Sequence, residues 1–107
     1  MTHEKFNILV EDVLQQCKKV MCAKSKDYSE TDDKLANAKL QARIDCITPI
    51  EAFRGNDLKH RASIIQGLDD IQKGKIRSKK WWYEKFIDHI NYQLLIIALI
   101  EEEYLEE

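Results

Sequence analysis

The chain has 107 residues, of which 44% are hydrophobic and 34% are charged, and its formal net charge is −2. This length predicts a single domain, residues 1–107, with its own hydrophobic core, and the small net charge excludes nucleic-acid binding by bulk attraction. Three Gly and one Pro are too few turn residues for many short strands, so the composition predicts an all-α protein.

Cysteine usage and the N-terminus indicate the compartment. Cys17, Cys22 and Cys46 are odd in number and lack the spacing of a zinc site, which argues against a disulfide framework. The N-terminus lacks the basic and apolar regions of a signal peptide. The longest apolar run, Leu94 to Ile100, has about seven residues, whereas ~20 are needed to span a bilayer. We therefore expect a cytoplasmic protein with no membrane contact.

The first two helices are predicted from apolar spacing. From about Glu4 to Ala23, apolar residues recur at alternating intervals of four and three; these are Phe6, Val10, Val13, Cys17 and Val20. The helix should end near Lys24, because turn-favouring residues follow. Ser29, Thr31 or Asp32 could cap a second helix. The apolar face of that helix is expected to be Leu35, Ala38, Ala42 and Ile44.

A third helix is predicted to start at Thr48-Pro49-Ile50-Glu51, since this order gives an N-cap, a proline at the first helical position and a capping box. Its expected inner face is Ile50, Phe53, His60, Ile64, Leu68 and Ile71. Gly74 is suited to a left-handed stop. Gly55 and Gly67 lie inside the helix, where each costs about 1 kcal/mol relative to Ala, so we expect close packing at both.

The fourth helix follows Ser78 as its cap and runs from about Trp81 to Glu103. The link from the third helix is only about four residues, which predicts an antiparallel hairpin. The expected fold is therefore a four-helix bundle-like domain in which a long C-terminal helix packs antiparallel on the third helix. Reflection about the link brings His60 level with Asn91 and Tyr92.

Charges at the ends of the fourth helix oppose its own dipole. Lys79 and Lys80 stand at the positive N-terminus and Glu101 to Glu103 at the negative C-terminus, and each such charge costs roughly 0.3–1 kcal/mol if unpaired. The run Leu94 to Ile100 is also apolar on every helical face, so one neighbouring helix cannot cover it. Together these features predict a homo-oligomer formed through the C-terminal helix.

Two sets of residues could carry chemistry. The first is a polar stripe on the fourth helix with an opposite face on the third, and it comprises Asp88, Asn91, Tyr92, Lys59, His60 and Ser63. Such a set could hold a metal ion or a polar ligand, or form an internal hydrogen-bond layer that fixes helix register. The second set suits a nucleotide, with cations for phosphates and a ring for stacking, or an ordinary solvated surface; it comprises Lys24, Asp27, Tyr28, Asn37 and Lys39.

The segment from Lys73 to Trp82 is basic and aromatic, the composition of single-stranded nucleic-acid surfaces. It is short, and the acidic helix end at Asp69 and Asp70 can neutralise it. We expect no nucleic-acid partner.

An ordered series of short motifs carries a resemblance. The motifs are Lys24-x-x-Asp27-Tyr28, Leu35-x-Asn37-x-Lys39, Thr48-Pro49-x-x-Ala52, Gly55-x-x-x-Lys59-His60-x-x-Ser63-Ile64 and Glu84-Lys85-x-x-Asp88-x-Ile90-Asn91-Tyr92-x-x-Leu95. The series resembles small phage-encoded all-α proteins that are similar to the MazG-like nucleotide pyrophosphohydrolases.

The resemblance implies either hydrolysis of a nucleotide or binding of one without turnover, and this chain matches the hydrolase motifs only in part. Hydrolases of that group hold magnesium through two acidic runs. Asp88 matches the second run, but Glu84 is displaced by one residue, and where the first run should be this chain has Lys59, His60 and Ser63. A hydrolase would use Asp88 and Glu84 for Mg²⁺, with no other catalytic residue assigned. The cationic face favours a phosphate over a magnesium pair.

The resemblance therefore favours a phage-type protein that binds a nucleotide or related phosphorylated small molecule without turnover and counteracts a host defence in the host cytoplasm. One alternative is a magnesium-dependent nucleotide pyrophosphohydrolase. A second alternative is a protein-binding inhibitor module, whose partner would be a host protein.

Overall fold

The computed structural model describes residues 1–28 and 32–105, and for residues 22–28 it describes the backbone only. These residues form four α-helices and no strand: α1 (His3–Tyr28), α2 (Ala36–Asp45), α3 (Pro49–Gln72) and α4 (Lys79–Glu103). The prediction of an all-α fold is confirmed. None of the helices in the described ranges combines the length and hydropathy that crossing a membrane requires.

The caps of α3 and α4 form where the sequence predicted them. Thr48 Oγ1 accepts a hydrogen bond from the Glu51 amide, and the Glu51 carboxylate accepts one from the Thr48 amide, which completes the capping box. Ser78 Oγ accepts from the Trp81 amide at 3.1 Å. Gly74, with φ of +82°, ends the α3 segment in the left-handed region.

The boundary between α1 and α2 differs from the prediction. α1 continues to Tyr28 instead of ending near Lys24, so the turn-favouring residues after Lys24 extend the helix. α2 begins at Ala36 with Leu35 in the cap position. Asp32 is therefore not the cap, although Asp33 accepts a hydrogen bond from the Leu35 amide at 2.9 Å. Ser29 and Thr31, the other predicted caps, lie outside the described residues.

Packing of α4 against α3 is the main tertiary contact, and it is antiparallel as predicted. α2 packs on α3, and α1 packs on α4. Leu35, Phe53 and Leu99 form the centre of the core, and Leu99 is completely buried. The helices meet in pairs, and the described residues extend over 42 × 30 × 29 Å.

Several residues predicted to be buried are exposed, because no neighbouring helix reaches them. Ile44 of α2 is 69% exposed, and Leu68 and Ile71 at the end of α3 are 50% and 42% exposed. α2 has only 10 residues, and its contacts with α3 lie near the start of that helix, where Gln41 meets Asn56. Among the described helices, α4 is therefore the one that packs on the second half of α3.

The two glycines inside α3 have opposite surroundings. A Cβ at Gly67 would lie 2.7 Å from the Trp81 ring and 2.9 Å from the Trp82 ring, so both indoles occupy the space that a side chain would need. A Cβ at Gly55 would meet nothing within 4 Å. The prediction of close packing is confirmed at Gly67 and wrong at Gly55.

This difference predicts opposite effects of the same substitution. Gly67→Ala should lower the free energy of unfolding by about 1–3 kcal/mol, because the indole pair must move. Gly55→Ala should raise it by roughly 0.5–1 kcal/mol, because alanine is the better helix former and meets no obstacle. Urea unfolding followed by circular dichroism measures both, and equal shifts of the same sign would contradict the packing described.

Candidate functional site

A polar cluster lies between α3 and α4, with Asp57 at its centre. Gln93 Nε2 donates to Asp57 Oδ1 at 2.5 Å, and Arg61 Nε lies 3.3 Å from Asp57 Oδ2. His89 Nδ1 is 3.8 Å from Asp57 Oδ1, beyond hydrogen-bond reach. One half-buried carboxylate thus joins side chains of both helices.

Aromatic rings continue this cluster toward the core. The His60 ring lies 5.0 Å from the Tyr92 ring and 6.3 Å from the His89 ring, between centroids. The Tyr92 ring in turn meets Phe53 edge to face at 5.2 Å. The interface between α3 and α4 therefore changes from polar at Asp57 to apolar at Phe53 within one row of side chains.

The buried part of the cluster is incompletely hydrogen-bonded. His89 Nδ1 and the Tyr92 hydroxyl are buried without a partner among the described residues, and so is Asn91 Oδ1 on another side of α4. Burial raises the pKa of Tyr92; the Asn56 amide is near enough to lower it in part, and the Asp57 carboxylate raises it further. Because these atoms have no partner among the described residues, the side chains do not form a fully hydrogen-bonded internal layer. Each unpaired buried polar group costs about 1–3 kcal/mol.

The predicted polar stripe is only partly assembled. His60 and Tyr92 come together as the hairpin reflection predicted. Asn91 is buried, Ser63 is half-buried, and Asp88 and Lys59 are exposed.

Asp57, His89 and Gln93 were missed, although their signal was present in the sequence. His89, Tyr92 and Gln93 have the same i, i+3, i+4 spacing as the predicted Asp88, Asn91 and Tyr92. The side of α4 that carries His89 and Gln93, and not the side that carries Asp88 and Asn91, faces Asp57.

In the set predicted to suit a nucleotide, Lys39 is the cation whose side chain is described, and it is already ion-paired within the chain. Lys39 Nζ contacts Asp33 at 2.8 Å and Glu102 at 3.0 Å, which ties α2 to the end of α4. The Lys39 hydrogen bond lowers the pKa of Asp33, and the same pairing raises the pKa of Lys39. Asn37 is exposed. The side chains of Lys24, Asp27 and Tyr28 lie outside the described residues.

The carboxylates of the hydrolase alternative lie on the solvent-exposed surface of α4. Glu84 and Asp88 are both exposed, and Glu84 lies 3.9 Å from Lys80. Within the described part of the chain, no three His, Cys, Asp or Glu side chains are grouped to hold a metal ion. The geometry therefore gives no particular support to a magnesium pair at Glu84 and Asp88.

The basic hairpin tip uses its aromatic residues for packing. Arg77 pairs with Asp70 at 2.8 Å, and its guanidinium lies 4.4 Å from the centre of the Trp81 ring. Trp81 and Trp82 meet edge to face at 4.9 Å and pack on Gly67. These contacts occupy ring surface that stacking on bases would require.

The largest unexplained feature is an apolar surface on one side of the α3–α4 hairpin. On this side α4 carries Phe86, Leu94 and Ile97, which are 40%, 49% and 56% exposed. The half-buried Ile90 continues the row. On the same side, α3 carries Leu58, Ile65 and Leu68, which are 50–66% exposed. We call these seven residues the hairpin face: Leu58, Ile65, Leu68, Phe86, Ile90, Leu94 and Ile97.

The polar cluster opens onto this hairpin face. At about 100° per residue, Gln93 falls about 20° beyond Phe86, next to the arc of α4 that holds the apolar row, and Arg61 falls between Leu68 and Ile65 on α3. The Asp57–Gln93 hydrogen bond and the Asp57–Arg61 ion pair therefore mark a polar strip across an otherwise apolar surface.

Asp57 should be the residue on which this strip depends. Asp57→Ala should lower the free energy of unfolding by about 1–3 kcal/mol, because it leaves Gln93 and Arg61 without their acceptor. Asp57→Asn should cost less, because its amide oxygen can still accept from Gln93. Thermal and urea unfolding of the two variants tests this, and equal losses would contradict the hydrogen-bonding role.

Comparison with protein-family models, curated proteins and solved structures finds no match for this chain.

Proposed function

We propose that this protein acts by stoichiometric binding of a partner protein through the hairpin face, without turnover of a substrate. The observation that carries the proposal is the exposure of six large apolar side chains on one side of two packed helices. Single exposed apolar residues are common and need no explanation. Six on two packed helices, most of them with Ile90 or Arg61 as a neighbour in helical phase, are different, because large apolar patches usually mark interaction sites.

The composition of the hairpin face suits a protein interface. Apolar side chains lie at both ends, and the Asp57–Gln93 hydrogen bond with its Arg61 ion pair lies between them. Protein interfaces commonly combine such an apolar centre with a few hydrogen bonds that fix orientation, and arginine is enriched in them. The polar strip would thus select the partner, while the apolar rows supply the buried area.

The small number of buried hydrophobic residues supports the same proposal. In the described part of the chain, eight hydrophobic residues are buried, whereas sixteen large hydrophobics are exposed. A chain of this length can form a larger core than that. Part of its apolar surface is therefore available for covering by another protein, and the phage resemblance suggests a host protein as one such partner.

Photo-crosslinking tests the proposal directly. A benzoylphenylalanine placed at Ile65 or Ile97 should give discrete protein adducts on irradiation of expressing cells. The matched control is Ile8 on α1, which is 64% exposed, compared with 56% for Ile97. Adducts at Ile97 that do not exceed those at Ile8 would contradict a binding role for the hairpin face.

A small phosphorylated ligand is the second candidate, favoured by a shallow groove on the outer side of α3. Its lining includes Arg54, Leu58, Arg61 and Asp57, with open space at Gly55. Arg54 and Arg61 are about two helical turns apart on one side of α3, and guanidinium groups bind phosphate in a bidentate manner. Leu58 offers an apolar surface for a base.

Calorimetric titration with a panel of nucleotides tests this candidate. Saturable binding should weaken at least about tenfold in Arg54→Ala and Arg61→Ala, because each removes one charged phosphate contact. Arg43→Ala, at an exposed arginine of α2, serves as the control. Magnesium-dependent release of pyrophosphate that is lost in Asp88→Asn would instead support the hydrolase.

A further inference from the structure

We infer that the hairpin face takes up a second copy of this chain, with the two α4 helices docked antiparallel. This inference rests on the proposed function and names the partner. The evidence is the arrangement of apolar residues along α4 together with the charges at its two ends.

The apolar row on α4 is nearly symmetric about its own middle. Phe86, Ile90, Leu94 and Ile97 follow one another at intervals of four, four and three residues, within an arc of about 80°. Around a two-fold axis between residues 91 and 92, Phe86 falls level with the partner's Ile97, and Ile90 with the partner's Leu94. Each apolar side chain therefore meets another, as an isologous interface requires.

Other helices leave this side of α4 uncovered. Trp81, Tyr92 and Gln93 meet residues of α3, namely Gly67, Phe53 and Asp57. α1 is the other helix that packs on α4, and the buried Ile87 and Asn91 lie on a different side from Phe86 and Ile97. In the described structure, a row that runs along about half of the 25-residue α4 remains exposed, from Phe86 to Ile97.

Charge favours a second copy over an unrelated helix. α4 has no acidic residue in its first turn and no basic residue in its last, so both ends oppose the helix dipole. Lys79 and Glu101 fall in the arc of α4 that holds the apolar row, and antiparallel docking brings Lys79 of each copy to within about three residues of the level of the partner's Glu101. Among the described residues, ion pairs within the chain neutralise two of these terminal charges: Glu102 pairs with Lys39, and Lys80 lies near Glu84.

Sedimentation equilibrium of the whole chain, with substitutions on and off the hairpin face, tests the inference. The unmodified chain should be a dimer at micromolar concentration. Ile97→Glu should raise its dissociation constant by about 100-fold or more, because two carboxylates would be buried in the symmetric interface. Ile8→Glu is the matched control and should leave it unchanged, and circular dichroism confirms that both variants fold.

A charge swap separates antiparallel docking from other arrangements. A variant with Lys79→Glu and Lys80→Glu should dimerise about tenfold more weakly or worse, because the attraction between these lysines and the partner's C-terminal glutamates becomes repulsion. Adding Glu101→Lys and Glu103→Lys to the same chain should restore affinity. Failure of this restoration would overturn the antiparallel arrangement.

A monomer at micromolar concentration, or a dimer that Ile97→Glu leaves intact, would overturn the second copy as partner. The proposed binding function can hold even if the chain does not dimerise. A monomeric chain whose Ile97 photo-crosslinks to other proteins would retain a binding face for a different partner, whereas a monomer without such adducts would lose both.

Discussion

α4 carries more apolar surface than its two neighbouring helices cover, and this constraint shapes the rest of the structure. α3 and α1 bury Leu99, Ile87 and Asn91, but Ile97 and Leu94 remain about half exposed on a third side. A short α2 cannot reach that side, because it packs on α3 and is held by Lys39 to the end of α4. The fold is therefore a helical hairpin with one helix added on each side, and its uncovered side is the hairpin face.

The polar cluster at Asp57 fixes how the hairpin presents that surface. The cluster sets the register of α3 against α4 through Gln93, while Arg61 extends from the same carboxylate toward solvent. Sliding one helix by a turn would separate Gln93 from Asp57 and break the hydrogen bond between the helices, while the Arg61 ion pair within α3 would remain. The cluster thus has a structural role whatever binds beside it, and it also marks the polar strip of the candidate interface.

Local chemistry explains which features could be predicted from the sequence. The caps at Thr48 and Ser78 depend on hydrogen bonds to residues three positions away, so the sequence contains all the groups involved. The hairpin follows from a short link, and it correctly placed His60 against Tyr92. The close packing at Gly67 was expected because a glycine inside a helix needs a compensating contact.

The remaining features depend on contacts between distant segments. Two helical phases of α4 had the same polar spacing, and only the position of Asp57 decides between Asp88 and His89 as the inward residue. Ile44, Leu68 and Ile71 fit an inward row by periodicity, yet each remains at least 42% exposed. Apolar periodicity shows which side of a helix prefers burial, but it does not show whether the same chain or another one covers it.

Distances between spin labels on two copies test the second-copy arrangement most directly. With the native cysteines replaced, single labels at Asp88 or Tyr104 lie on exposed positions. Antiparallel docking about residues 91 and 92 predicts offsets along the helix of about 11 Å between Asp88 labels and about 37 Å between Tyr104 labels, at 1.5 Å per residue. A short distance at Asp88 and a long one at Tyr104 is the predicted result. Equal distances at both positions, or no coupling between copies, would contradict it.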